Sequence, residues 1–316
     1  MTTGRYACGR LGLGALQILV LGVVVFILAA ALPGDAAVTI AGDDPDPRRV
    51  AAIRQRLGLD QPLLTQLGDW LTQLFRGELG TSLISGRTVA SMITAAVGPT
   101  LTLAGLALAV LAPAALILGL IAATRRGGTV DRLISTVCVG VYAVPEFAFA
   151  VLMIAAFAVW LNLLPATAIG AGPDLILHPE LWLLPVIVLA ARPICSLTRV
   201  VRSSVASELD AEYVGHLRSL GVPSQRILWR HVLPAAAAPI TQQVARIADW
   251  LLGGVIVVEA VFAVGGLGQL MIAAVTSRDL PIILGLVITF GAITVTVNTA
   301  ADIVARWLSP RSVHSS

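Results

Sequence analysis

The sequence predicts an all-α polytopic membrane protein, with six transmembrane helices and a small helical subdomain outside the bilayer between the first two. Three observations carry that prediction. Hydrophobic residues make up 57% of the 316 and charged ones 12%, at a mean hydropathy of +0.90; a soluble domain carries about twice that charge fraction. The apolar residues gather in runs that, at ~1.5 Å per residue, can cross a ~30 Å hydrocarbon core. The arginines gather on alternate connections between those runs, as the positive-inside rule requires of loops on one side of a membrane.

The first span is Leu11–Leu32, preceded by Arg5 and Arg10. A secretory signal peptide has the same layout, but this run is longer than a typical signal core, which favours a retained span. Residues 1–32 thus form the N-terminal end and first span. Residues 33–98 are the one long polar section, with acidic and basic side chains nearly balanced. Within it Asp46-Pro47 can open a short helix that stops near Gly58. Leu63, Leu67, Leu71 and Leu74 then form an apolar stripe on a second helix, periodicity that a disordered linker would lack. The remaining spans, Pro99–Ala123, Leu133–Leu164, Leu181–Val201, Ile240–Val264 and Leu280–Trp307, make residues 99–308 a core membrane domain, followed by a short tail, 309–316. Arg5/Arg10, Arg125/Arg126/Arg132, Arg199–Arg230 and Arg306/Arg311 share one side, while Pro165–Glu180 on the other contains no arginine. Both termini are therefore expected in the cytoplasm, and residues 33–98 outside.

The polar loop of residues 205–234, and above all its basic stretch Ala211–Pro234, stands out from this apolar chain. Tyr213, Val214, Leu217 and Leu220 fall at helical spacing, Gly221 stands where a helix would stop, and Pro223 suits the first turn of a second helix carrying Ile227, Leu228 and Trp229. Two amphipathic helices broken at a glycine suit either a docking surface for another protein or a segment lying on lipid headgroups.

Composition also excludes several chemistries. All 21 basic residues are arginine. Without a lysine the chain cannot hold a standard P-loop or a Schiff base, so any ATP and Mg²⁺ would be bound by a different subunit, with no cofactor in this one. Cys8, Cys138 and Cys195 have no metal or redox spacing. The isolated histidines lack ligand spacing, and no G-x-S-x-G elbow offers a nucleophile. A net charge of +3 gives no reason to expect nucleic-acid binding.

Ionisable groups inside spans are costly in lipid and face protein or water. Glu146 follows Pro145, Arg192 precedes Pro193, and Arg246 and Asp249 are spaced for a same-face pair. They read either as part of a translocation path or gate, or as structural pairs between spans.

Several motifs in order carry a family resemblance. Glu212, then Gly221, then Leu233-Pro234 resembles the cytoplasmic "EAA" loop of permease subunits in ATP-binding-cassette importers, with Tyr213 and Val214 in place of the two alanines, as in the dipeptide/oligopeptide branch. LPGD at Leu32–Asp35, RQRLGLDQPL at Arg54–Leu63, GELGTSLISGRTV at Gly77–Val89, YAVPEFAFA around Pro145, LPAT at Leu164–Thr167, VVEAVFAVGGLGQL at Val257–Leu270 and RDLP at Arg278–Pro281 are similar to that branch over nearly the full length. Gly265 departs from it, standing where the branch usually has proline, which puts the geometry of that turn in question.

The resemblance implies the type I importer permease fold and the member of a permease pair that has an enlarged first external loop. It implies as partners a second homologous permease, two ATPase subunits, a lipid-anchored extracytoplasmic substrate-binding protein, and the lipid bilayer of a bacterial inner membrane. An ATPase would dock on Glu212, Tyr213, Val214, Leu217, Gly221, Val222, Ile227, Leu233 and Pro234, and the binding protein near Asp60, Glu78, Glu259, Gly266, Gly268 and Asp279. The implied substrate is a peptide. The branch also carries glutathione-like thiols and nickel chelates, and the binding protein makes most of the choice. An ion-gradient-driven secondary transporter is the alternative, although the chain shows no clear internal repeat.

Overall fold

The computed structural model describes residues 3–31, 36–41, 46–56, 58, 60–169 and 178–308. The Leu32–Asp35 motif, half of the Pro165–Glu180 loop (170–177) and the tail from 309 lie outside them. Among the described residues the regular structure is helical, apart from one isolated antiparallel bridge between Thr81 and Thr88. Four helices are long and apolar enough to cross a membrane, and the number rises to six if each of two broken helix pairs counts as one span. Contacts divide the chain into two compact units, residues 1–100 with 263–296, and residues 101–262 with 297–316.

In the first unit, α1 (Thr3–Ala31) supplies the expected first span, and α2 (Ala36–Ala41) follows. Then come the two anticipated short helices, α3 (Pro47–Arg56) and α4 (Leu63–Phe75), with Gly58 between them at φ +68°. The Asp46 carboxylate accepts from the Arg48 amide at 2.9 Å, capping α3 as an acidic residue at a helix start should. In the leucine stripe of α4 Leu67, Leu71 and Leu74 are half-buried and Leu63 is exposed, but Trp70 on the same helix stacks on Phe26 of α1, ring centroids 6.2 Å apart. That aromatic pair anchors the subdomain to the first span.

The next helix, α5, runs from Val89 to Thr124, so it opens well before Pro99, where composition alone would start it. Val89, Ile93 and Ala96 supply the reason. They are buried with Leu267 and Ala274 of α12 (Leu267–Ser277) and Ile282 and Leu286 of α13 (Leu280–Leu308), which forms the core of this unit. Less polar loop is left between spans one and two than the sequence suggested.

In the second unit, α8 (Pro179–Leu209) is the central helix, packed against α6 (Thr129–Ala143), α7 (Glu146–Met153) and α11 (Leu233–Phe262). Span three, expected as one run over Leu133–Leu164, is broken instead. Val144 and Pro145 are extended at ψ 128° and 143°, and the helices on either side meet at 105°. Proline disfavours the α conformation at the residue before it, and at Val144 that preference ends α6. A π-helical stretch, Ile154–Trp160, continues α7. Pro193 has no such effect, because α8 passes through it and through Pro185 unbroken. The turn from α11 into α12 takes its left-handed residue at Ala263, φ 53°, and not at Gly265, so the glycine that departs from the family pattern is not what bends the chain there.

Candidate functional sites: the helix-break loop and an arginine-lined cavity

The loop after α8 has the shape its residues predict. Helix α9 (Glu212–Ser219) ends at Gly221, φ +77°, a conformation that glycine alone adopts at no steric cost. Pro223 precedes α10 (Ser224–Ile227). The second helix does not stop at Leu233-Pro234 but passes through a π turn, Leu228–Val232, into α11. The Leu233 amide reaches back five residues to the Leu228 carbonyl. Such a widened turn absorbs the donor that Pro234 lacks, so proline sits in the helix without breaking it.

Burial divides the residues assigned to docking. Val214 and Ile227 are 0% and 1% exposed, so they hold the loop to its own chain and do not face a partner. Helical spacing could not distinguish these two uses of an apolar side chain. Leu217, Val222 and Leu233 are half-buried, and Glu212, Gly221 and Pro234 are exposed. Tyr213, Leu220 and Trp229 are exposed with them, giving the loop an outward apolar surface next to an acidic residue. The Tyr213 hydroxyl donates to Glu208 Oε2 at 2.9 Å, and burial together with that carboxylate raises its pKa above the ordinary phenol value.

One ion pair ties the α5–α6 turn to the loop, and a second joins α6 to α8 ahead of it. Arg126 pairs with Asp210, just before α9. Asp131, almost fully buried, accepts from Arg202 Nε at 2.5 Å and Nη2 at 2.7 Å and from the Gly127 amide at 2.9 Å. Neither pair was singled out from the sequence, where each is one arginine and one aspartate over seventy positions apart.

Near the middle of α8 a cavity of about 270 Å³ is lined by Tyr142, Arg192, Ser196, Gln243, Arg246 and Trp250, among others. Arg192 lies over the rings of Tyr142 and Trp250, 4.9 and 6.0 Å from their centroids. Its Nε is buried without a hydrogen-bond partner, and so is Glu146 Oε1. Glu146 is packed against Gly254, where a Cβ would come within 3.1 Å of that oxygen. Arg192 acts on it electrostatically, though no ion pair joins the two among the described residues. Arg246 donates twice to Gln243 Oε1, at 3.1 and 2.5 Å, and Gln243 Nε2 donates to Ser196 at 2.8 Å. The side chain of Asp249, the partner expected for Arg246, lies outside the described residues. Of the four charged residues read from the sequence, the structure brings Arg192 and Arg246 to one cavity and places Glu146 on a neighbouring helix.

The residues assigned to a binding-protein surface separate in the same way. Asp60 and Glu78 are exposed. Glu259 is fully buried in α11, Gly266 and Gly268 are buried, and Asp279 is 1% exposed. The Asp279 carboxylate accepts from the Ser82 hydroxyl at 2.5 Å and the Leu83 amide at 3.2 Å. Its place is inside the chain, latching the 80–88 turn, because a buried carboxylate must find donors. A charge beside an apolar run looks like a surface residue in sequence and is an internal one here.

The helical architecture, the broken spans and the glycine-split loop define a membrane-embedded permease of the ATP-binding-cassette importer class. The MetNI methionine ABC transporter, in an inward-facing conformation, matches the fold with a TM-score of 0.54 at 18% identity, over 70% of this chain and 98% of that one. Residues 115–314 match the family described as "Binding-protein-dependent transport system inner membrane component", and residues 5–104 match its N-terminal companion. The chain belongs to that family and is a multi-pass inner-membrane transport component, of a kind that works with ATPase subunits and a substrate-binding protein. A protein of Brucella abortus named as a peptide transport system permease is 35% identical over 297 residues, 93% of this chain and 94% of that one. The glutathione transport system permease GsiC of Salmonella typhimurium is 35% identical over 295 residues, with the same coverage. The alternative of an ion-driven secondary transporter finds no support among these relatives.

Proposed function

We propose that this chain is one of two non-identical permeases of an ATP-driven importer of peptides, with both termini and the 211–234 loop in the cytoplasm. The observation that carries the reading is the loop itself. Its left-handed glycine sets two helices at an angle, and its exposed Glu212, Tyr213, Leu220 and Trp229 offer a ready surface to an ATPase subunit. ATP and Mg²⁺ belong to a pair of such subunits, and a lipid-anchored binding protein delivers the substrate from the other side. Peptide as the cargo is supported by the relatives' names and by the arginine-rich middle of the chain. Glu146, Arg192, Arg246 and Asp249 then lie along or beside the translocation path.

Closure of the ATPase pair would pull on α9 and α10, through Arg126–Asp210 on the α5–α6 turn, and from there through Asp131–Arg202 on α6 and α8. Such transmission needs two discrete packings of the spans, between which ATP and the loaded binding protein select. Gly221→Val is the test, because a β-branched residue at φ +77° is strained whatever the space around it. Membrane level should stay as in wild type while ATP-driven peptide uptake in proteoliposomes falls at least tenfold. Normal uptake by the variant would overturn the docking role of the loop.

A further inference from the structure

We infer that the cavity between α6, α8 and α11 is a transient binding site for the free carboxylate of the transported substrate, with Arg192 as the receiving cation. This rests on the reading of the cavity as part of the path and gives it a ligand chemistry. Arg192 is held by two aromatic rings and, among the described residues, joined to no carboxylate, and its buried Nε has no partner there. A cation positioned by ring faces keeps its fork of N–H donors free for an incoming anion, and that planar fork matches a carboxylate bidentately. Arg246 adds a second positive charge, oriented by the hydrogen-bond chain through Gln243 to Ser196. Tyr142 sits beneath a third guanidinium, that of Arg199, at 4.6 Å. At about 270 Å³ the cavity is at the small end for ligand pockets (~300–1,000 Å³), which suits one end of a short chain better than a whole oligopeptide. Trp250 and Ile247 supply apolar wall for the residue next to the carboxylate.

The probes are trialanine and its C-terminal amide, added without nucleotide to the purified complex of this chain with its partner subunits. The readout is tryptophan fluorescence, with Trp250→Phe identifying the signal from the cavity. The acid should bind about tenfold tighter than the amide, and Arg192→Gln should erase that difference while leaving the weak amide binding in place. Ser196→Asp places a carboxylate in the cavity wall one helical turn from Arg192, where it competes for the guanidinium while Arg192 itself stays in place. It should depress acid binding in the same way, which keeps the test decisive if Arg192→Gln does not insert. ATP-driven uptake by the same variants tests the path separately. If uptake falls but acid and amide bind alike, the path reading stands and the carboxylate site is refuted. If the acid is preferred but uptake is unchanged, the cavity binds anions off the path and its transient role in transport is refuted. If neither binding nor uptake responds, both fail.

Discussion

Arg126–Asp210 holds the α5–α6 turn to the loop and Asp131–Arg202 holds α6 to α8, yet their surroundings give the two pairs different weight. The first has side chains 55% and 66% exposed, where a solvated pair contributes ~0–1 kcal/mol. In the second the Asp131 side chain is 4% exposed and takes a bidentate fork plus a backbone amide. Removing one partner of such a site leaves donors and a cation without their acceptor, which costs more than the pair itself contributes. Asp131→Ala should therefore lower the thermal midpoint of the detergent-solubilised protein by more than Asp210→Ala and Arg126→Ala together. An equal or smaller loss for Asp131→Ala would show that the site is not structural. Asp279 follows the same logic outside the loop. Truncating it to alanine strands the Ser82 hydroxyl and the Leu83 amide and should cost ~1–3 kcal/mol, read as a lower unfolding midpoint. A role in docking the binding protein would instead leave stability intact and weaken only that interaction. Sequence reading placed Asp279, Glu259, Val214 and Ile227 at surfaces, and all four are buried. Residue type and periodicity say that a side chain wants a partner, not whether the partner is this chain or another.

Elements were more legible than single residues, because local rules fix them. Gly58 and Gly221 both take positive φ where helix breaks were expected, and Asp46-Pro47 and Pro223 both precede helices. The errors came where a proline's effect depends on context. Pro145 breaks span three, while Pro193, Pro99 and Pro234 are accommodated in continuous helices. The difference is visible at Val144, which is extended and so ends α6 before the proline arrives. The break sets Tyr142, the last aromatic of α6, at the cavity and Glu146 at the first position of α7. Pro145→Ala restores a helix-compatible residue and should let α6 and α7 straighten. Insertion should be normal and uptake strongly reduced, at least tenfold, because the side chains at the break lose their placement. Wild-type uptake in Pro145→Ala would show that the 105° bend is set by packing alone.

At the scale of the whole molecule, composition and the spacing of apolar runs gave the membrane class. The grouping of arginines gave an orientation, with both termini and the 211–234 loop on the cytoplasmic side as the expectation. That orientation has a direct test in the intact protein. Single cysteines at Gln61 in the α3–α4 connection, at Ser224 in the loop and at Ser312 in the tail, in a chain with its three native cysteines replaced, can be labelled by a membrane-impermeant maleimide in intact spheroplasts. Gln61 should label without permeabilisation, and Ser224 and Ser312 only after it. Co-purification in mild detergent then addresses the assembly, since the family to which the chain belongs works with ATPase subunits and a substrate-binding protein. Recovery of a second permease, P-loop ATPases and a binding protein is the expected outcome. In the Gly221→Val variant the ATPases alone should be lost or weakened, because the glycine shapes the α9–α10 turn and a Cβ there would meet nothing within 4 Å. If the variant kept its ATPases, lost its second permease and still failed to transport, the loop would serve permease pairing, and energy would have to enter the spans by another route.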